Sequence, residues 1–133
     1  MKPGEDCRDT VPIEGVILTK LSPPNYYPLA RQARIEGKVE VRVGVRRDGS
    51  IQSVDADLPL VPSGSIMLIR SALESAQTSK FECNDCEDAL TYYSLFYTFK
   101  LTDPNCEHQN TGQRVTQSNN QITVVAQVSC VFP

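Results

Sequence analysis

Pro23-Pro24-Asn25-Tyr26-Tyr27-Pro28-Leu29-Ala30-Arg31-Gln32-Ala33-Arg34-Ile35-Glu36-Gly37 leads into a valine ladder, Val39, Val41, Val43 and Val45, and then into Asp48-Gly49. Pro28 suits the first position of a helix, where a missing N–H costs nothing. Leu29, Ala30 and Ala33 then share a face, Arg31 and Arg34 sit near the negative C-terminal end, and Gly37 is placed for a left-handed cap. Beyond Gly37 the apolar period falls to two. The valines point one way and Lys38, Glu40, Arg42 and Arg46 the other, the pattern of a half-buried antiparallel strand. Asp48-Gly49 reads as a two-residue hairpin turn, and residues 51–57 return as the partner strand, with Val54 and Ala56 apolar.

Outward from this stretch, residues 1–22 read as an extended lead-in. Within it, Val16-Ile17-Leu18 is short, apolar and able to form an edge strand. Downstream of Pro59 and Pro62, a helix capped by Ser63 or Ser65 carries Ile66, Ile69, Leu73 and Ala76 at helical spacing and ends near Ser79. Residues 82–88 read as a polar loop. Residues 91–101 form a second clear strand, with Tyr93, Leu95, Tyr97, Phe99 and Leu101 alternating against polar neighbours. Residues 102–120 are loop by composition, and Ile122, Val124, Ala126, Val128 and Cys130 alternate as a final strand.

The joint order of Tyr27-Pro28, Ala30, Ala33, Gly37, the valine alternation, Asp48-Gly49 and the helix leading to Phe81 resembles the C-terminal domain of TonB-family energy transducers. The resemblance covers residues 23–101, with 1–22 as lead-in and 102–133 as a loop plus one added strand on the same sheet. It implies an α+β fold: a three- to four-stranded antiparallel sheet with two helices packed on one face. It also implies a non-enzymatic envelope domain that binds a protein or peptide by strand pairing. Carried onto this sequence, the partner-binding positions are Tyr92, Ser94, Phe96, Thr98 and Lys100. Two features frequent in the family are replaced. Ser79-Lys80 stands where the helix ends in tryptophan, and Glu82-Cys83 stands where proline follows the phenylalanine. The tail adds an expectation of its own. Paired as a hairpin with 92–101, the strand over 121–130 covers the edge that would receive a partner peptide.

Composition narrows the alternatives. The chain has 133 residues, 40% hydrophobic and 22% charged, with net charge −3 from 13 basic and 16 acidic side chains. One core fits that length. The acidic balance gives no basic field for a nucleic-acid backbone, and no apolar run reaches membrane-spanning length. The oligomeric state is not readable. Five cysteines, Cys7, Cys83, Cys86, Cys106 and Cys130, favour an oxidising compartment. Met1–Asp6 contains no apolar signal region, so the expectation is a periplasmic or secreted protein whose signal peptide has been removed.

The spacing of Cys83 and Cys86 is open to three chemistries. A structural disulfide would join Cys130 to one of them or close Cys83–Cys86 itself, with Cys7–Cys106 a weaker second pair. A zinc site needs two further ligands. A redox dithiol normally opens a helix, whereas this pair follows one and sits among Glu82, Asp85, Glu87 and Asp88, which raise a thiol pKa. A thiol–disulfide or zinc-binding protein built on Cys83/Cys86 is therefore the alternative to the interaction domain. His108 is the only histidine and falls in loop sequence. No nucleophile-elbow or phosphate-cradling motif is present, so no catalytic residue, cofactor or metal is expected.

Overall fold

The valine ladder becomes the middle of a sheet. The computed structural model describes residues 15–56, 65–84, 86–102 and 112–128. In chain order the elements are β1 (Gly15–Lys20), α1 (Pro28–Gln32), β2 (Gly37–Arg46), β3 (Ile51–Ala56), α2 (Ser65–Thr78), β4 (Lys80–Asn84), β5 (Leu90–Thr102), β6 (Gln113–Ser118) and β7 (Gln121–Gln127). Five strands form one sheet in the order β3-β2-β5-β7-β6, and β1 with β4 forms a separate pair. The class is α+β, as expected, but the main sheet is larger than three or four strands and is mixed. β2 runs antiparallel to β3 and β5, whereas β5 and β7 run parallel.

The core lies on one face of this sheet. Val39, Val41, Val43 and Val45 are buried there, beside Leu95, Tyr97 and Phe99 of β5 and Ile122, Val124 and Ala126 of β7. Register aligns them: Val39 faces Tyr97, Val41 faces Leu95, Tyr97 faces Ile122 and Phe99 faces Val124. Ala30 of α1 and Leu68, Ile69, Ala72 and Ala76 of α2 close the layer. Ile66, assigned to the buried stripe from its spacing, is 55% exposed instead. The stripe is rotated toward Leu68 because Ser71, Ser75 and Ser79 share the inward side.

Those three serines are buried, and each has a reason to be. The segment before α1 runs extended along α2 with its main chain against them. Ser71 Oγ accepts from Asn25 N–H at 2.9 Å and donates to Asn25 C=O at 2.5 Å. Ser75 Oγ donates to Ser22 C=O at 2.5 Å, and Ser22 N–H donates to Ser79 Oγ at 2.9 Å. Buried hydroxyls are tolerated only when bonded in this way. Tyr97 Oη donates to Ser75 Oγ at 3.0 Å, which ties the sheet to the same row.

Burial pushes the Tyr97 phenol up to about 12 from 10.0, with the Ser75 hydrogen bond acting the other way. The folded state therefore holds this proton more tightly than the unfolded chain. The stabilisation is complete below pH 10.0 and is lost as pH rises through about 12. Tyr26 and Tyr93 are shifted in the same direction by burial. Circular dichroism against pH is expected to show alkaline unfolding in this window, and Tyr97→Phe should move its midpoint upward. Identical midpoints would remove Tyr97 from the account.

Several local readings change. α1 ends earlier than Gly37: Arg34 takes the left-handed conformation at φ 58°, and Ile35 N–H donates to Ala30 C=O at 2.9 Å, closing a Schellman-type end. Gly37 instead opens β2 opposite Phe99. The β2–β3 turn has three loop residues rather than two. Arg46 N–H bonds Ser50 C=O and Gly49 N–H bonds Arg46 C=O, each at 2.8 Å, with Gly49 at φ 92°. Asp48 fixes the turn by accepting from Ser50 N–H at 2.9 Å and from Ser50 Oγ at 2.6 Å.

Residues 80–84, the last three of them in the expected polar loop, form strand β4, because Phe81 turns into the core while Glu82 turns out. Its partner is β1, so Val16-Ile17-Leu18 does form a strand, though not on the main sheet. The tail contributes two strands where one was expected.

Candidate functional site

The edge of β5 that faces away from β2 is where a strand-pairing partner was expected to arrive. Side chains of Tyr92, Ser94, Phe96, Thr98 and Lys100 all lie on the sheet face opposite the core, with Tyr92 59% exposed and Lys100 exposed. Across β2 they stand beside Gly44, Arg42, Glu40 and Lys38 in turn, up to Thr98. The Tyr92 ring lies over Gly44, where an added Cβ would come 3.3 Å from Tyr92 Cε1. The five positions share one face, and their main-chain groups share one edge.

That edge is not open along its whole length. β7 pairs with it in parallel from Phe96↔Gln121 to Thr102↔Gln127. Phe96 N–H donates to Asn120 C=O at 2.9 Å, and Val128 N–H donates to Thr102 C=O at 3.1 Å. By alternation, the groups of Phe96, Thr98 and Lys100 are the ones engaged by β7. The Asn119-Asn120 turn extends the cover by one residue, since Asn120 Nδ2 donates to Ser94 C=O at 3.0 Å. The expected antiparallel hairpin between 92–101 and the last strand is therefore corrected: β7 pairs antiparallel with β6 and parallel with β5.

Sequence reading missed both β6 and this asparagine. The available signal was Asn119-Asn120, a dipeptide that tolerates positive φ; Asn119 adopts φ 55°.

The hairpin is locked to α1 and the segment before it. Gln113 Oε1 of β6 accepts from Tyr26 N–H at 2.7 Å, while Gln113 Nε2 donates to Pro24 C=O. Arg31, buried in α1, donates from Nε to Gln127 C=O at 2.8 Å. The Tyr26 ring meets Phe99 edge-on at 5.4 Å between centroids, and Tyr26 Oη donates to Ile35 C=O. Burial, with Glu36 nearby, pushes the Tyr26 phenol upward despite Arg31.

The cysteine constellation resolves into one bond among the described residues. Cys83 and Cys86 form a disulfide with Cα atoms 5.6 Å apart. The bond sits at the end of β4, where Cys83 stands opposite Val16. This removes Cys130 as a partner for either. The closure of Cys83 with Cys86 was one of the stated alternatives, and parallel β7 runs toward the Thr102 end of β5, away from Leu90. Cys7, Cys106, Cys130 and His108 lie outside the described residues. Among the described residues, no group of three or more histidine, cysteine or acidic side chains is placed to hold a metal.

A second exposed apolar feature is a groove of about 510 Å³ between α1 and the start of α2, lined by Tyr27, Leu29, Ile66 and Met67, with Arg70 and Glu74 at its polar side. Tyr27 Oη donates to the Glu74 carboxylate there.

The family model for the Gram-negative bacterial TonB protein C-terminal matches residues 22–101. The chain belongs to this family. A solved structure similar to it is the solution NMR structure of the Pseudomonas aeruginosa TonB CTD, at 25% sequence identity and TM-score 0.49, over 66% of this chain and 88% of that one. No curated protein matches the sequence closely enough to count as a relative. The stretch matched by the TonB family ends inside β5, at Leu101, so β6 and β7 both lie beyond it. No helix among the described residues is long and apolar enough to cross a membrane.

Proposed function

We propose that this TonB C-terminal domain is a non-enzymatic, periplasmic module that holds a protein or peptide partner, and that its own β7 permanently fills the β5 edge from Phe96 to Thr102. The observation that carries this reading is the burial of Ile122, Val124 and Ala126, at 1%, 0% and 3% exposure. A displaceable lid would rest on polar contacts. Lifting β7 would instead bare two large apolar side chains, each worth about 1.5–3 kcal/mol. β7 is core, and the edge beneath it is closed to a partner.

Pairing with a partner strand then falls to the remaining main-chain edges. On β5 these are the positions of Tyr92 and, in part, Ser94; elsewhere they are the outer sides of β3 and β6. Side chains of Phe96, Thr98 and Lys100 still present a contact surface on the outward face. The reading calls for no cofactor, metal or nucleic acid. The alternative, a thiol–disulfide or zinc-binding protein using Cys83/Cys86, gains nothing from the geometry. The pair closes as a disulfide at the end of β4 among acidic neighbours, and it follows a helix rather than opening one.

Hydrogen exchange tests the closed edge. Amides of Phe96, Thr98 and Lys100 are expected to exchange at the slow rate of the core, with that of Tyr92 much faster. Fast exchange at the first three in the free protein would return β5 to the partner.

A further inference from the structure

Strands β5, β7 and β6 stand apart from the rest of the chain in charge. They contain no acidic residue, and their only charged side chains are Lys100 and Arg114. The whole chain, by contrast, carries net charge −3. Both cations turn to the sheet face opposite the core. Lys100, Val125 and Arg114 stand in one row across β5, β7 and β6. The next row is Lys38, Thr98, Thr123 and Thr116, and the one after it Glu40, Phe96, Gln121 and Ser118. Both helices and the β1–β4 pair contribute to the core on the other face.

Lys38, Lys100 and Arg114 are exposed, and none of the three has a hydrogen-bond or ion-pair partner among the described residues. Two carboxylates flank the rows on the β2 side, Glu36 and Glu40. Glu36 is already engaged, accepting from Leu101 N–H at 2.7 Å. Strand spacing sets Lys100 and Arg114 about 10 Å apart at the main chain, with Lys38 about 7–8 Å from Lys100 on the diagonal. Val125, half-buried, lies between Lys100 and Arg114, and half-buried Phe96 lies one row beyond Thr98.

We propose that this face docks an acidic segment of a protein partner, with carboxylates on Lys38, Lys100 and Arg114 and an apolar side chain over Phe96 and Val125. The inference rests on the interaction role proposed above and names the partner's chemistry. Docking here uses side chains, so it is compatible with β7 filling the β5 edge. Unpaired cations this close together repel one another until an anion covers them, and three acid-free strands offer that anion nothing to avoid. Phe96 and Val125 select against a bare polyanion, which would leave them uncovered. A lipid surface would need apolar side chains projecting past their neighbours, whereas these two are half-buried among hydroxyls. A nucleic acid would meet the net negative charge of the remaining chain.

Amide shifts in NMR spectra of the isotope-labelled full chain read this docking directly. The probe is a peptide of about 12 residues with glutamates on both sides of a central phenylalanine, added to about 2 mM. Half-saturation is expected at about 0.1–1 mM, with shifts centred on Thr98, Lys100, Thr123 and Arg114. Exchanging its glutamates for glutamine should weaken binding about 10-fold. Lys38→Glu and Arg114→Glu alter exposed side chains and should each weaken it about 3-fold, with thermal melts unchanged. Together they should make the face prefer the lysine version of the peptide. No shift at the highest concentration overturns the proposal, as does equal binding of the glutamine peptide or indifference to both variants. Phosphatidylglycerol vesicles that shift these amides where the peptide does not would give the face to lipid and overturn it too. Shifts confined to Tyr92 and β3 would overturn the face and leave strand pairing intact. Fast exchange at Phe96 would overturn the closed edge and leave the face standing.

Discussion

A chain ending at Thr102 is expected to lose its cooperative fold, although it retains the whole stretch matched by the TonB family. Truncation removes Ile122 and Val124 from their places against Tyr97 and Phe99. At about 1.5–3 kcal/mol for each large side chain, the apolar loss alone is about 3–6 kcal/mol. Total stability of a domain this size is about 5–15 kcal/mol. The cut also removes the Gln113 clamp on Pro24 and Tyr26 and an acceptor of the buried Arg31 guanidinium. Far-UV circular dichroism and amide dispersion in an NMR correlation spectrum should both show a molten or unfolded chain. A truncated protein with a sharp urea transition at the full-length midpoint would make β6 and β7 mere accessories.

Gly49→Ala is the second large effect, expected at about 3 kcal/mol of destabilisation by urea melts. Two costs combine. The backbone sits at φ 92°, where an L side chain is strained, and an added Cβ would lie 2.7 Å from the carbonyl oxygen of Phe81. That oxygen is main chain in β4 and cannot rotate away. Gly44 offers the control. Its Cβ would meet Ser53 Oγ at the same 2.7 Å, but the obstacle is the tip of a side chain that can turn. Gly44→Ala is therefore expected to cost only about 1 kcal/mol. If the two variants melt together, the distinction between rigid and movable neighbours fails here.

How much of this was legible in the sequence depended on whether periodicity carried the information. The valines of β2, the aromatics of β5 and the turn at Asp48-Gly49 were readable because alternation with a glycine stop has few other meanings. Strand direction was not. Ile122, Val124 and Ala126 alternate identically in a parallel or an antiparallel strand, and the intervening β6, Gln-Arg-Val-Thr-Gln-Ser, has a single apolar residue to announce it. β4 was hidden by its cysteine and acidic neighbours.

Arg34 in the left-handed region displaced Gly37 as the helix stop, since the short helix had already closed on Ala30. Serines at 71, 75 and 79 are neutral in any helical pattern, so nothing marked them as the row on which the entering chain rests. For the candidate site, the shared face of Tyr92 to Lys100 was visible in advance. A strand over 121–130 beside this edge was readable as well; its parallel direction and its register from Phe96 to Thr102 could not be inferred from residue types.

The clamp between Gln113 and the Pro24–Tyr26 segment has a consequence for how the chain is made. Tyr26 and Gln113 are 87 positions apart, and Arg31 and Gln127 are 96 apart. Residues 24–31 must therefore wait for residues 113–127 before they can settle. A domain whose early segment depends on so distant a partner stays uncommitted while it grows. Closure of the contact between these two segments is then a late event in folding.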